Sequence, residues 1–331
     1  MASLIDEYGR RIDYLRISIT DNCNLNCFYC TPFGGRSHLS HTEILSYEEI
    51  FAITQAAVQA GISKVRITGG EPLVRKEMVG LCRMLSRIEG MDSLALTTNG
   101  VHLFELAQPL REAGVKRINV SLDTLRPERF KRITGRNLLS RVLDGIKRAE
   151  ELGLSPVKIN MVVMRGINDD EIEDIARLTL RKPYHVRFIE LMPTEGWIFG
   201  DHESLFVPME EIVSRVKRIG GLHLEHKKES FGPARLCSVT GGVGKVGFIS
   251  PVSRHFCGSC NRLRLTADGK LRNCLFSEKE IDIKGPLRAG ASTEELTRIF
   301  RQAAQTKPRR HALKDNEAHQ ELGRAMHAIG G

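Results

Sequence analysis

Up to about residue 195, short apolar runs alternate with longer stretches whose apolar residues recur at helical spacing. The runs predict six β-strands: Leu15–Ile19, Val65–Thr68, Leu94–Thr98, Ile118–Leu122, Val157–Val163 and Val186–Leu191. The stretches between them predict helices, which include Ser46–Ala60, Lys76–Ile88, Phe104–Ala113, Leu139–Leu152 and Asp170–Leu180. Strands that alternate with helices indicate a parallel sheet. Six units are too few for a complete eightfold barrel, so a partial barrel and an open doubly wound sheet are both alternatives.

The regular alternation stops in the remaining part of the chain. Residues 204–225 read as a helical segment followed by a turn, and Thr293–Gln305 as a last amphipathic helix before a polar tail. The glycine-rich segment 241–247 has neither the Lys-Ser/Thr spacing of a phosphate loop nor a following helix, so it predicts a β-turn.

Length and charge narrow the class of protein. The 331 residues suggest about two domains, or one α/β barrel with an extension. No uncharged apolar run approaches the roughly 20 residues of a membrane span. The charged residues Asp6, Glu7, Arg10 and Arg11 interrupt any signal-peptide core, so we expect a cytoplasmic protein.

The net charge of +9 favours an anionic ligand. With five Tyr and one Trp, the chain is poor in the aromatic residues that stack on nucleic-acid bases. A small phosphorylated molecule is therefore as good a candidate as a polymer.

The strand ends carry the unusual residues. The first predicted strand is followed by DNCNLNCFYC and the second by Gly69–Pro72, and polar or proline-containing turns follow the later ones. In α/β barrels the chemistry lies at the carboxyl ends of the strands, so these loops predict one shared site. The alternative is that Gly, Pro and Asn simply form turns there.

Six of the eight cysteines fall into two groups, which favours metal or cluster ligation over disulfides in a cytosolic chain. Cys23, Cys27 and Cys30 lie within eight residues, so they can bind three irons of a four-iron cluster and leave the fourth open. A zinc site is the weaker alternative because no fourth Cys or His follows closely.

The second group consists of Cys257, Cys260 and Cys274, again without an obvious fourth cysteine. His255 could complete a zinc site, so zinc stays an alternative here. Arg262 and Arg264 would lie on one face of a strand and could bind phosphate, unless that strand is merely a solvated basic edge. Cys82 and Cys237 are outside both groups and receive no predicted function.

These motifs resemble two nested families. The CxxxCxxC spacing with its preceding aromatic residue and the GGEP element resemble the radical S-adenosylmethionine (SAM) superfamily. Over essentially the whole chain, the sequence resembles the GTP 3′,8-cyclases, the molybdenum cofactor biosynthesis protein A family. The segments that carry this resemblance are RISIT, RITGGEP, TTNG, VSLD, KINMV, RFIELMP, CGSCNRLRLTADGKLRNCLF and the terminal Gly-Gly.

The resemblance implies an α/β fold, a partial (β/α)6 barrel like a TIM barrel, that a C-terminal extension closes on one side. Residues 1–220 would hold the first [4Fe–4S] cluster and SAM, and residues 221–331 the second [4Fe–4S] cluster. The implied reaction is the radical cyclisation of GTP through hydrogen abstraction from C3′ and attack on C8. It is the first step of molybdenum cofactor biosynthesis.

The resemblance also assigns roles to residues. The two cysteine groups would bind the two clusters. SAM would contact Tyr29, Gly70, Ser121 and Met192. GTP would contact Arg16, Arg66, Thr97, Lys158, Arg262 and Arg264, and Arg187, at a strand end, is a further candidate for that pocket. The residues expected to support the radical chemistry are Arg16, Gly330 and Gly331.

The implied partners are cyclic pyranopterin monophosphate synthase, which would act on the product, and an electron donor such as flavodoxin or ferredoxin. No nucleic acid or membrane is expected, and a homodimer stays open. Two other classes are alternatives: a radical enzyme with an auxiliary cluster that acts on a peptide or another small molecule, and a zinc-dependent nucleic-acid module. The first leaves the Arg262/Arg264 pair unexplained, and the second leaves Gly69–Pro72 unexplained.

Overall fold

One twelve-stranded sheet organises the chain. The computed structural model describes residues 3–30, 39–193, 202–225, 232–311, 324 and 326–330. Within these residues, no helix is long and apolar enough to cross a bilayer.

The first part of the chain alternates strands and helices, as predicted. Its strands are β1 (Tyr14–Ser18), β2 (Lys64–Thr68), β3 (Ser93–Thr98), β4 (Arg117–Ser121), β5 (Lys158–Val163) and β6 (His185–Glu190). Its helices are α1 (Tyr47–Ala60), α2 (Met78–Leu85), α3 (Leu103–Glu112), α4 (Pro127–Thr134), α5 (Leu139–Glu151) and α6 (Ile172–Arg181).

The later part supplies short strands and helices. The strands are β7 (Leu222–Leu224), β8 (Arg235–Val239), β9 (Lys245–Ile249), β10 (Arg262–Leu265), β11 (Lys270–Arg272) and β12 (Ile281–Asp282). The helices are α7 (His202–Leu205), α8 (Met209–Lys217), α9 (Lys284–Arg288), α10 (Thr293–Gln305) and α11 (Met326–Ile329). Within the described ranges, three 3₁₀ turns complete the pattern, at Pro72–Val74, Asp169–Glu171 and Cys257–Ser259.

The strand order is β12-β11-β10-β1-β2-β3-β4-β5-β6-β9-β8-β7. Strands β1 to β6 are parallel, and they are flanked by β10, parallel to β1, and β9, parallel to β6. The sheet is therefore a partial barrel that ends on antiparallel strands at both sides. This confirms the predicted α/β fold class and decides against a complete eightfold barrel.

The two faces of the sheet have opposite character because successive residues of a strand point to opposite sides. Ile17, Ile67 and Leu96 are neighbours in register and are fully buried in the core beneath the helices. One residue earlier on β1 and β2, Arg16 and Arg66 lie side by side in register and line a central cavity.

Local sequence signals fix the outer helices. Helix α1 begins at a capping box in which Ser46 and Glu49 each accept a hydrogen bond from the other's backbone N–H, and it ends at Gly61, whose φ is +114°. Helix α10 packs on α1, where the Thr297 hydroxyl donates to the carbonyl of Ala56 at 3.2 Å. This contact holds α10 against α1 on the outside of the barrel.

The structure differs from the sequence-based prediction at several boundaries. Helix α2 begins only at Met78 because Glu77 has a left-handed backbone with φ +58°. Helix α4 was not predicted, and the segment 204–225, predicted as helical followed by a turn, ends in strand β7. The predicted turn in 241–247 is confirmed and leads into β9.

Candidate active site

A single cavity of about 360 Å³ lies at the barrel axis and collects nearly all predicted site residues. Its lining includes the six grouped cysteines, Cys23, Cys27, Cys30, Cys257, Cys260 and Cys274. It also includes the predicted SAM and GTP contacts, Tyr29, Gly70, Ser121, Met192, Arg16, Arg66, Thr97, Lys158, Arg187, Arg262 and Arg264. None of the eight cysteines, all of which lie in the described ranges, is in a disulfide.

The first cysteine group lies on the loop after β1, and helix α4 holds this loop. The backbone N–H groups of Asn26 and Phe28 donate to the carbonyls of Thr134 and Ile133 at 2.8 and 3.2 Å. The N–H of Cys30 donates to the carbonyl of Cys27 at 3.0 Å, which forms a tight turn between two of the thiols. The end of α4 thereby fixes where the three half-buried thiols face the cavity.

The two glycines of the GGEP element allow a close approach of two loops. The N–H of Gly70 donates to the carbonyl of Thr20 at 2.6 Å. A Cβ on Gly70 would lie 2.3 Å from the carbonyl oxygen of Asn22, and one on Gly69 would lie 2.6 Å from that of Thr20. No side chain fits there, so the glycines let the loop after β2 support the segment that leads to Cys23.

Glu71 is a buried carboxyl that links three loops. It accepts hydrogen bonds from the Leu73 N–H at 3.0 Å, the Thr98 hydroxyl at 2.7 Å and the Asn99 N–H at 2.6 Å. Burial raises the pKa of Glu71 to about 7, although these hydrogen bonds oppose the shift. Asn99 in turn donates to the Cys23 Sγ at 3.7 Å, so Glu71 supports the cysteine loop through its neighbour.

Asp123 supports the same loop from the opposite side. It accepts hydrogen bonds from the Tyr29 hydroxyl at 2.5 Å and from the Val162 N–H at 2.8 Å. Burial raises the pKa of Asp123 to about 6. The pKa of Tyr29 is also raised, by burial first and then by Asp123, so this hydroxyl stays protonated and donates.

A row of cations crosses the cavity wall. Arg264 on β10, Arg16 on β1 and Arg66 on β2 are direct neighbours in register. Like charges placed directly opposite on neighbouring strands are destabilising. Among the described residues, no carboxylate forms a salt bridge with Arg66, Lys158, Arg187 or Arg264. An anionic ligand would relieve this repulsion.

The pKa values of these cations reflect the same excess of positive charge. Burial, followed by repulsion from Arg187 and Arg66, lowers the pKa of Lys158 to about 6. Burial and then repulsion lower the pKa of Arg187 to about 10 and that of Arg264 to about 9. Each shift disfavours the charged form, and a bound triphosphate would reverse it.

The second cysteine group lies at the open end of the β10–β11 hairpin. Cys257 begins a 3₁₀ turn, Cys260 precedes β10, and Cys274 follows β11. Burial alone would raise the pKa of the Cys260 thiol, but the charges of Arg262 and Lys307 outweigh it and lower that pKa to about 6. Cys260 therefore favours the thiolate, which is the form that binds metal, whereas burial raises the pKa of Cys257.

The side chains that could bind zinc at the second group are its three cysteines and His255. In the part of the chain that the structure describes, no three His, Cys, Asp or Glu side chains are arranged as ligands of one metal ion, and this applies to both cysteine groups alike. His255 lines the cavity, and its ring lies against that of His311, with centroids 5.2 Å apart.

The C-terminal tail reaches the barrel. The Arg264 guanidinium donates to the carbonyl of Gly330 at 2.8 Å, and His327 lies 3.3 Å from the carbonyl of Cys30. Gly330 has φ +70°, and a Cβ on it would lie 2.6 Å from the Cγ2 of Thr68. The tail therefore needs glycine at position 330, while Gly331 lies outside the described residues. The role of the C-terminal tail in the radical chemistry stays a prediction.

Several residues of this site were not predicted to act there. Asp123 and Glu71 could have been found, because both lie in motifs that point to the strand ends. Arg10 and Lys307 carry no local signal, since each becomes part of the site through contacts over more than 30 residues. The individual contacts of Ser121, Met192 and Thr97 with ligands stay predictions.

Comparison with known proteins agrees with this geometry. The family profile described as Radical SAM superfamily matches residues 17–179, and the one described as Molybdenum Cofactor Synthesis C matches residues 184–313. A protein of Moorella thermoacetica named GTP 3′,8-cyclase is 50% identical over 98% of this chain and 99% of its own length. The protein of that name from Peptoclostridium acidaminophilum is 47% identical over 99% and 98%.

The chain belongs to the GTP 3′,8-cyclase family. Among solved structures, Streptococcus suis SuiB bound to S-adenosylmethionine is similar with a TM-score of 0.58 at 13% identity, over 92% of this chain and 77% of that one. That likeness concerns the fold alone. Both the recognised family and the enzyme class are confirmed, whereas the division at residue 220 stays a prediction.

Membership of the radical SAM superfamily implies one [4Fe–4S] cluster and SAM. The donor set of the first group fits this cofactor, because three thiols on one ordered loop face the cavity and can each bind a different iron. The neighbouring loop supplies a hydrogen-bond donor to Cys23.

Proposed function

We propose that this chain converts GTP and SAM into (8S)-3′,8-cyclo-7,8-dihydroguanosine 5′-triphosphate, the first step of molybdenum cofactor biosynthesis. The observation that carries the proposal is one cavity lined by two groups of three thiols and by a row of cations, of which Arg66 and Arg264 are buried and Arg16 is half-buried. A nucleoside triphosphate is the anion that such a row suits, since it carries a charge of about −4.

The first cysteine group would hold the cluster that, when bound, supplies the electron that cleaves SAM to a 5′-deoxyadenosyl radical. The chain's own residues fix this site: Glu71 and Asp123 hold the loop from two sides, and Gly70 keeps the neighbouring backbone close. Tyr29, Gly70, Ser121 and Met192 would contact SAM.

The cations would bind and orient GTP. Arg16, Arg66, Lys158 and Arg187 project into the cavity from β1, β2, β5 and β6, so they can neutralise a triphosphate from several sides. The Arg66 guanidinium also donates to the Thr97 hydroxyl at 3.3 Å, which places both side chains at one subsite.

The second cysteine group would hold a second [4Fe–4S] cluster whose open iron binds the guanine, with Arg262 and Arg264 beside it. The tail residues Gly330 and Gly331, with Arg16, would support the radical step. In this proposal residues 1–220 carry the SAM half and residues 221–331 the second cluster and the tail.

The product would pass to cyclic pyranopterin monophosphate synthase, and flavodoxin or ferredoxin would supply electrons. We place the protein in the cytoplasm, where a reducing environment keeps thiols available to iron. A homodimer is compatible with this scheme.

Isotope transfer tests the function. The reconstituted enzyme is given SAM, a reductant and GTP that carries deuterium at C3′, with ATP as the control nucleotide. We expect deuterated 5′-deoxyadenosine and the cyclised nucleotide in equal amounts from GTP, and neither from ATP. Unlabelled 5′-deoxyadenosine with intact GTP would contradict the proposal.

A further inference from the structure

Two buried cations from opposite ends of the chain meet at the second cysteine group. Arg10 lies before the first strand, and Lys307 follows α10; their exposed fractions are 8% and 4%. Neither matches a position to which the family resemblance assigns a role. Long charged side chains are seldom buried without a specific reason.

Arg10 fastens the first cysteine of the group. Its Nη1 donates to the carbonyl of Cys257 at 2.8 Å, and its Nη2 donates to the carbonyl of Pro308 at 2.8 Å. Its Nε pairs with Asp6 at 2.5 Å. The charge of Arg10 is therefore compensated locally, and its remaining donors hold the Cys257 backbone against the segment that carries Lys307.

Lys307 fastens the other two cysteines. Its Nζ donates to the carbonyl of Arg262 at 2.9 Å and to the carbonyl of Asn273. These carbonyls lie two residues after Cys260 and one residue before Cys274. A single ammonium group thus joins the two strands of the hairpin at the level where both thiols emerge.

The charge of Lys307 has a different compensation from that of Arg10. No carboxylate of the described residues forms a salt bridge with it, and burial lowers its pKa. A buried cation is tolerated only when an opposite charge and hydrogen bonds compensate its desolvation. At this position the carbonyls of Arg262 and Asn273 accept hydrogen bonds from the ammonium group, and the cysteine group is the neighbouring site at which a negatively charged cluster would lie.

We propose that Arg10 and Lys307 are positioning residues that brace the second cysteine group, and that the hydrogen bonds of Lys307 hold its positive charge beside that group. Arg10 fixes Cys257, and Lys307 fixes the hairpin ends at Cys260 and Cys274. The inference rests on the proposed binding of a second cluster at this group.

The experiment isolates the second group in the full-length chain by replacing Cys23, Cys27 and Cys30 with Ala. Iron content and the midpoint potential are then measured after anaerobic reconstitution. Lys307→Met removes donors and charge, while Lys307→Gln keeps a donor and removes only the charge. Lys284→Met is the matched control, because Lys284 also donates to a backbone carbonyl, that of Glu43 at 2.7 Å, but lies outside the cavity lining.

We expect Lys307→Met to lose about half or more of the roughly four irons that the second group binds. Lys307→Gln should retain the iron but shift the midpoint potential to a more negative value, because a nearby positive charge favours the reduced cluster. The double variant Asp6→Asn/Arg10→Gln removes a neutral pair, so it should lose iron without that shift. Lys284→Met should change neither quantity.

Three results would overturn the inference. In the first, Lys307→Met and Lys307→Gln keep both the iron and the potential of the parent chain. In the second, Lys307→Met in the otherwise natural enzyme also loses SAM cleavage and its cooperative melting transition, which shows a general role in folding. In the third, the parent chain with Lys307 intact binds no iron; this removes the proposed second cluster itself and is distinguishable from a failure of the brace.

Discussion

The two cysteine groups face one cavity but differ in the charge of the residues that hold them. The first group is held by neutral donors and by the buried carboxyls Glu71 and Asp123, whose pKa values burial raises to about 7 and about 6. The second group is surrounded by the cations Arg262, Lys307 and Arg10. Hydrogen bonds with neighbouring loops hold the first group in place, whereas cations hold the second.

This difference separates two tasks. Positive charge and hydrogen bonds near an iron–sulfur cluster raise its reduction potential, whereas nearby carboxyls do not. We therefore expect the first group to hold the cluster that reduces SAM and the second to lie beside the nucleotide, although Asn99 also donates a hydrogen bond to Cys23 at the first group. Arg16 and Arg66 lie between them, where the substrate would bridge both environments.

Replacing one cysteine in each group should give the largest effects, and the two variants should differ in SAM cleavage. Cys27→Ala should abolish SAM cleavage and cyclisation together, because the electron source is lost. Cys274→Ala should retain some uncoupled SAM cleavage but form no cyclised nucleotide, because only the substrate side is damaged. Both products are quantified by chromatography of single reactions.

Cys82→Ala is the matched control, since Cys82 is a fully buried thiol of α2 outside the cavity. The folded Cys82→Ala protein should keep both SAM cleavage and cyclisation. Normal GTP turnover by both Cys27→Ala and Cys274→Ala would contradict the two-group scheme.

The tail offers the next largest effect, because it contacts both environments. His327 lies beside the carbonyl of Cys30, and Arg264 binds the carbonyl of Gly330. Deletion of Gly330 and Gly331 should leave iron content, SAM affinity and GTP affinity intact while cyclisation falls sharply. A peptide that ends in Gly-Gly should restore part of the activity.

A separate substitution tests the space around the tail. Gly330→Ala places a Cβ 2.6 Å from Thr68 in a backbone with φ +70°, so it should reproduce much of the deletion. Full cyclase activity in the deleted chain would show that the tail plays no part in the reaction.

Substitution of the arginines on β10 should have a smaller effect, and this effect should be limited to GTP binding. Arg262→Ala and Arg264→Ala should each weaken GTP binding by about 1.5–3 kcal/mol, or roughly 10- to 150-fold, while SAM affinity barely changes. Titration calorimetry with each ligand measures both. Arg301→Ala, on the exposed face of α10, is the control. Unchanged GTP affinity in both variants would show that these two arginines do not bind the nucleotide.

The two groups also differ in how far the sequence could predict them. Cys23, Cys27 and Cys30 lie close together in the chain, and Gly69–Pro72 ends the neighbouring strand, so local spacing was enough. At the second group the cysteines were predicted, but Arg10 donates to Cys257 across 247 residues and Lys307 to Asn273 across 34. No local pattern encodes such contacts.

The fold shows the same division. Six strands and most helices followed from apolar periodicity, whereas β9 and β10 were missed as parallel partners of β6 and β1. Strand β10 has only four residues, two of them cationic, which reads as an exposed edge, and β9 begins inside the glycine-rich segment 241–247 that predicts a turn. They become parallel neighbours only because the barrel brings distant parts of the chain beside its first and last strands.

The smallest expected effect is a proton taken up on GTP binding. Burial and neighbouring arginines lower the pKa of Lys158 to about 6, so at pH 7.5 most of this amine is neutral in the ligand-free enzyme. A bound triphosphate raises that pKa, and the amine then gains a proton. By linkage, GTP affinity must decline as pH rises from about 6 through the raised pKa of the complex.

Lys158→Met removes this contribution, while the titration of GTP itself is common to both chains. Calorimetry in two buffers of different ionisation enthalpy should therefore give fewer protons for Lys158→Met than for the natural chain. Equal proton counts would mean that Lys158 is already charged before GTP arrives, and that the cations between the two groups need no ligand to stay protonated.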